Sequence, residues 1–228
     1  MPKAAKIVTI VALAFAVLVV GGSWFYIKVI EKPAPKLTLD STSASSNTPT
    51  SLAPDDGTTD GTWKASSASV VQYRVQETLF GASNTATGKT SAITGSIAIA
   101  GTSVNSGSFT VDMTSVQSDR PQRDGQFQNR IMDTSSFPTA TFKLTSPITL
   151  TSVEMNKQIN ATATGNLTLH GTTKSVTFTV AAERVTSEIK VNGSIPIHFS
   201  DYSIDNPSGG PAQVGNDGTL EFTLVFTR

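Results

Sequence analysis

GSFTVDMTSVQSDRPQRDGQFQNRIMDTSSFPTATFKLTSP, residues 107–147, changes its periodicity twice and so decides the fold. From 108 to 115 apolar and polar residues alternate. Phe109, Val111 and Met113 share one face, and Ser108, Thr110, Asp112 and Thr114 the other. That is the period of a half-buried strand. A polar run containing Pro121 ends it. Asp124 is then expected to cap a short helix whose apolar side is Phe127, Ile131 and Met132. Phe137-Pro138 stops the helix, and alternation resumes around Phe142 and Leu144.

Outward from this stretch the period is two almost throughout. Val71, Tyr73 and Val75 share a face, as do Leu167 and Leu169, then Val176, Phe178 and Val180. Ile195, Ile197 and Phe199 follow, and Leu220, Phe222, Leu224 and Phe226 close the chain. Turns are expected at 105–107, at His170-Gly171 and at Asn192-Gly193. Short strands with regular turns and one helix predict an all-β antiparallel sandwich or barrel. In a small barrel alternate residues of every strand face one interior. The plain reading of these stripes is a filled core.

Composition narrows the functions. The chain has 228 residues, no cysteine and two histidines, His170 and His198. There is therefore no disulfide framework, and a multi-histidine metal site is not expected. Residues 61–228 hold 12 basic and 12 acidic side chains, which gives no electrostatic case for nucleic acid. Alternation sets Asp112 and Glu221 on polar faces, away from any shared interior, as a two-carboxylate glycosidase could not have them. No G-x-S-x-G elbow accompanies either histidine. The expectation is a protein that is not an enzyme and has no cofactor.

Residues 7–27 carry no charge, and 21 residues of helix span about 30 Å, the thickness of a bilayer core. Lys3 and Lys6 precede the run, and Trp24, Phe25 and Tyr26 end it like an interfacial belt. The alternative is a cleaved signal peptide with Gly22 near the cut, but no A-x-A stands there and Lys28 follows. The expected organisation is a basic segment at 1–6, a transmembrane helix at 7–30 with the rest of the chain outside the cytoplasm, a disordered linker at 31–62, and a folded domain at 63–228. Half of residues 41–60 are Ser or Thr, too polar to offset the entropy of ordering.

Three ordered segments carry a family resemblance. They are VDMTSVQSDRPQRDGQF…IMDTSSFPTATFKLTSPI, TGNLTLHGTTKSVTFTV at 164–180, and SVVQYRVQETLFG…GKTSAITGSI at 69–97. The chain resembles the YceI-like family, lipocalin-like barrels that hold polyisoprenoid chains in the cell envelope. The resemblance implies a closed barrel whose interior binds an isoprenoid lipid, such as a quinone tail or polyprenyl carrier, carried or sequestered near the membrane. The alternative is a non-catalytic interaction or stress-protection module with a filled core. The implied lining is Tyr73, Phe109, Val111, Met113, Phe127, Ile131, Phe142 and Leu144, with Leu167, Leu169, Phe178, Ile197, Phe199, Phe222, Leu224 and Phe226. Arg123, His170 and Lys174 are candidate contacts for a headgroup at the rim. Gly125 and Gln126 stand where many members carry a His and large aromatics.

Overall fold

The computed structural model describes residues 33–39, 58–210 and 212–228. The expected transmembrane helix lies outside these residues, as does most of the expected linker. No helix among the described residues is long and apolar enough to cross a membrane.

Twelve strand segments form one sheet. They are β1 (Gly61–Ala65), β2 (Val70–Leu79), β3 (Ala82–Thr90), β4 (Ile93–Ala100), β5 (Ser103–Asp112), β6 (Gln117–Ser118), β7 (Thr139–Leu144), β8 (Ile148–Thr149), β9 (Ile159–Leu169), β10 (Thr172–Val185), β11 (Glu188–His198) and β12 (Ala212–Thr227). Short kinks join β1 to β2, β3 to β4, β5 to β6 and β7 to β8, which leaves eight staves. Each pairs antiparallel with its sequence neighbour, and β12 returns to pair with both β1 and β2. The result is an up-and-down barrel. Closure satisfies every stave on both sides and leaves no long exposed edge.

The even path gives the barrel two distinct ends. At the upper end lie the β2–β3 turn, the β6–β7 connection with the helix, the His170-Gly171 turn and the β11–β12 loop. At the lower end lie the β4–β5 turn, residues 150–158, the β10–β11 turn and the chain's entry into β1. Helix α1 (Pro121–Gln126) runs on into a π-turn, Phe127–Ile131. It starts three residues before the expected cap. Pro121 occupies its first position, where the missing N–H costs nothing. Asp124 does not cap it. Its Oδ1 instead accepts from Ser118 N (2.7 Å) and Ser118 Oγ (2.6 Å), tying the helix back to β6.

Two expected turns are strand interior. Residues 105–107 lie within β5, and Asn192-Gly193 within β11. Gly193 is needed for packing rather than turning. A Cβ there would sit 2.5 Å from the Phe222 ring, so the glycine makes room for the aromatic. Gly88 makes room for the Tyr73 ring in the same way, also at 2.5 Å.

The expected linker differs from the structure at both described ends. Gly61 and Thr62 already belong to β1. Residues 33–39 form a strap across the outside of the barrel. Ala34 N donates to Thr87 Oγ1 (3.2 Å), and Arg74 donates to Ala34 O (2.8 Å). Gln72 donates to Pro35 O (3.2 Å), and Asn192 to Leu37 O (3.0 Å). Here lies an outward-facing polar cluster. Gln72 is 1% exposed and Glu221 6% exposed. Arg74 Nε meets Glu221 Oε1 at 3.0 Å, and Gln72 Nε2 meets Glu221 Oε2 at 2.9 Å. The carboxylate is on the polar face the alternation predicts. It is buried because it is paired and hydrogen-bonded on every side, as a buried charge requires.

Candidate ligand channel

The inward faces enclose a lumen of two chambers. The lower has a cavity volume of about 180 Å³ and the upper about 340 Å³. Val71, Val111, Ala140 and Leu220 line both, so they form the waist between them.

The lower chamber is walled by aromatic and aliphatic carbon. Phe142, Phe178 and Phe222 pack edge to face in series, with centroids 5.5 and 5.8 Å apart, and Phe109 tilts against Phe226 at 5.7 Å. Such offset geometries are the favourable ones for aromatic pairs. At its floor residues 152–154 close in, Glu154 pairs with Lys157 at 3.0 Å, and Arg184 is buried on the inward side of β10. The Lys157 ammonium holds the Glu154 carboxyl below its ordinary range.

The upper chamber combines an apolar wall with a polar lip. Tyr73 stacks on Phe127 with ring centroids 5.2 Å apart and planes 8° from parallel. Burial pushes the Tyr73 phenol well above the ordinary tyrosine range, and the Arg123 guanidinium offsets only part of this. The hydroxyl therefore stays protonated and remains a hydrogen-bond donor at any ordinary pH. Arg123 spans the lip, donating to Asp119 and to Glu77 Oε1 (3.2 Å). Glu77 also accepts from Asn84 (2.8 Å). The lip cation is thus held by carboxylates on two separate elements.

All sixteen interior positions expected from the alternation and the resemblance line the lumen. Phe109, Phe142, Leu144, Leu167, Phe178, Phe222, Leu224 and Phe226 border the lower chamber. Tyr73, Met113, Phe127, Ile131, Leu169, Ile197 and Phe199 border the upper, and Val111 borders both. Of the three rim candidates only Arg123 does so. His170 and Lys174 stand near the same upper end but border neither chamber. His170 Nδ1 lies 3.2 Å from Tyr202 O and its ring packs edge-on against Phe137. Lys174 faces Asp201 at 3.9 Å on the exposed surface. His170 sits in the turn between β9 and β10, and Lys174 lies near the upper end of β10, where its side chain reaches out to Asp201. Glu77 and Arg184 were not foreseen. For Arg184 a signal exists, because it continues the inward series Phe178, Val180, Ala182. Among the described residues no group of three or more His, Cys, Asp or Glu could hold a metal ion.

A family model described as the YceI-like domain matches residues 63–226. No curated protein matches the chain. Among solved structures, the chain is similar to a polyisoprenoid binding domain from Saccharophagus degradans implicated in plant cell wall breakdown. The identity is 16%, the TM-score 0.59, and the match covers 73% of this chain and 97% of that one. It is similar to BcnA of Burkholderia cenocepacia at 19% identity and a TM-score of 0.56, covering 71% and 98%. It also resembles the Campylobacter jejuni YCEI protein at 17% identity and a TM-score of 0.51, covering 62% and 84%. These likenesses are of fold.

Proposed function

The chain belongs to the YceI-like family, and from that premise we propose that its lumen binds an isoprenoid lipid as a carrier or store, without catalysis. The observation that carries the reading is a pair of largely apolar chambers inside one barrel, adjacent enough that Val71, Val111, Ala140 and Leu220 border both. A long apolar chain gains roughly 25 cal/mol for each Å² it buries, without needing polar contacts along its length. The binding named for the Saccharophagus degradans relative supports the same ligand class. The tail would occupy the lower chamber and pass the waist at Val111, with the polar end in the upper chamber. There Arg123 is already matched by Asp119 and Glu77. That balance favours an uncharged polar end such as a quinone, with the Tyr73 phenol as donor, over a free pyrophosphate. We place the barrel outside the cytoplasm, tethered to a membrane through residues 7–30. The direct test is to purify the protein from its own host and identify the extracted lipid by mass spectrometry. Recovery of a polyprenyl quinone is expected. Protein that carries no lipid, and takes none up when offered, would favour an interaction module instead.

A further inference from the structure

We infer that residues 150–156 form a fixed stop across the lower mouth, and that this stop, with Ala161 and Ala182 just above it, sets the longest tail the lumen accepts. The inference deepens the isoprenoid reading and rests on it for the class of tail.

The stop is tied on two sides of the barrel. β8 pairs with β5 at Ser103 and Val104, and Leu150 N then donates to Thr102 O (2.8 Å). At the other end Asn156 N donates to Arg184 O (2.7 Å), and Met155 bridges Arg184 in parallel. Thr102 stands in the β4–β5 turn and Arg184 on β10, and β7 and β9 lie between β5 and β10 in the sheet. Leu150, Val153 and Glu154 border the lower chamber, so the segment crosses the mouth rather than skirting it. Asn156 has a φ of +57°, a conformation that Asn tolerates better than most residues, and it turns the chain toward β9.

The chemistry of the stop decides how a chain end meets it. Val153 offers a half-buried apolar side chain. Around it stand the Glu154–Lys157 pair at 3.0 Å and the buried Arg184, all bordering the chamber. A tail driven beyond Val153 would displace water or partners from these charges and give them no hydrogen bond in exchange. Stripping a charge in that way costs far more than burying another methylene gains.

Above the stop the wall recedes. The inward series of β9 starts Ile159, Ala161, Ala163, and that of β10 rises from Arg184 through Ala182 to Val180. Ala163 pairs with Phe178, and its small side chain makes room for that ring. Ala161 pairs with Val180, and Ala182 with Ile159 and Val191, none of them aromatic. No ring on these partners claims the space. The recess therefore gives room for the end of a chain, and the last unit of an isoprenoid is branched and broad. The steps of β9 from Leu167 to Ile159 make the lower chamber roughly 20 Å deep at ordinary barrel tilt. That depth is set by hydrogen-bonded backbone, so it measures a tail instead of adapting to it.

Full-length protein in detergent, stripped of lipid, is offered an equimolar ladder of all-trans prenyl alcohols and, separately, a ladder of n-alkanols. Bound chains are extracted and quantified by mass spectrometry. The parent should retain longer chains increasingly up to a limit, and several-fold less beyond it. Ala182→Leu should move the limit down by about one prenyl unit, since in a close-packed site about three added carbons displace a comparable part of the tail. Val153→Gly should open the stop and move the limit up. Ala161→Val repeats the first change more gently and covers the case in which Ala182→Leu fails to fold. A parent without a limit, or one limit shared by the parent and every folded variant, would overturn the stop while leaving isoprenoid binding intact. Limits that shift for n-alkanols when no prenyl alcohol is retained would support the stop and remove the isoprenoid reading. Retention of neither ladder would overturn both.

Discussion

The upper and lower chambers are built by the same staves, yet they present a ligand with different chemistry. The lower one is what alternation alone produces. Every second residue of a meander points inward, and here those residues are phenylalanine, leucine, isoleucine and valine. The upper one carries an insertion, because the connection between β6 and β7 folds into the helix that brings Phe127, Ile131 and Arg123 over the lumen. The difference teaches where specificity resides in such a barrel. On the proposed reading, regular staves would supply a solvent for the tail, and one irregular connection a place for the head.

The sharpest way to break the comparison is to separate the chambers. Val111 lines both and is only partly buried, so its side chain borders space rather than packed atoms. In a filled interior Val111→Trp would overpack and cost roughly 1–3 kcal/mol. In this lumen the ring enters the waist. The variant is expected to fold, to melt close to the parent when both are stripped of lipid, and to lose uptake of long polyprenyl chains in a fluorescent-lipid assay. Retained uptake would mean that the chambers do not act as one channel.

Phe222→Ala tests the lower wall by itself. Phe222 is 7% exposed, covers Gly193 and packs edge-on against Phe178. Its loss should cost about 3–5 kcal/mol in chemical denaturation, the range for a buried aromatic. Met113→Ala in the upper chamber should fall nearer the low end of about 2–5 kcal/mol for a buried methionine, because the cavity beside it is the larger of the two. Equal losses would show that the chambers are packed alike.

These contrasts also mark what the sequence made legible. Phe109, Phe142 and Phe222 are placed correctly by alternation because the side-chain period of a strand fixes the face. Local turn rules fail at Asn192-Gly193. An aromatic on the neighbouring strand needs the glycine's bare face, and that need is invisible in a window around residue 193. Asp124 misleads in the same way. It is a good capping residue, but Pro121 starts the helix first and the carboxylate finds Ser118. Glu77 meets Arg123 across 46 residues of chain, and only the pairing of β2 with β3 and of β3 with β6 brings them together. The strap, residues 33–39, has no sustained strand-like alternation and precedes a Ser/Thr-rich run. It is held by hydrogen bonds from Gln72, Arg74 and Asn192, which hydropathy does not register.

At the lip, Arg123→Ala should do less than either change above. The pair with Asp119 is partly exposed on the carboxylate side and contributes about 1 kcal/mol. The pair with Glu77 is better shielded, and its loss leaves a carboxylate that still has Asn84. A modest drop in melting temperature with little change in quinone uptake is expected. A large loss of uptake at unchanged stability would make the arginine a direct headgroup contact and shift the preferred ligand toward a phosphorylated one.

The smallest effect is expected from Tyr73→Phe, which keeps the ring on Phe127 and Gly88 and removes only the hydroxyl. If the phenol donates to a carbonyl of the bound head, its loss should weaken a polyprenyl quinone by about 0.5–1.5 kcal/mol, the net worth of one neutral hydrogen bond. A polyprenyl hydrocarbon of equal length has no carbonyl and should bind both forms alike, so the comparison isolates the head from the tail. An alkaline titration supplies an independent check. The folded-state pKa of Tyr73 is raised by burial, so above pH 10 the unfolded chain ionises its phenol while the folded one keeps its proton. The unfolded state then binds fewer protons, and stability falls as pH rises beyond that point. Tyr202 is shifted in the same direction and contributes with the same sign. The phenylalanine variant should therefore lose less stability than the parent above pH 10 and match it at neutral pH. An unchanged alkaline slope would show that the phenol is not buried in the upper chamber as described, and would remove it as the headgroup donor.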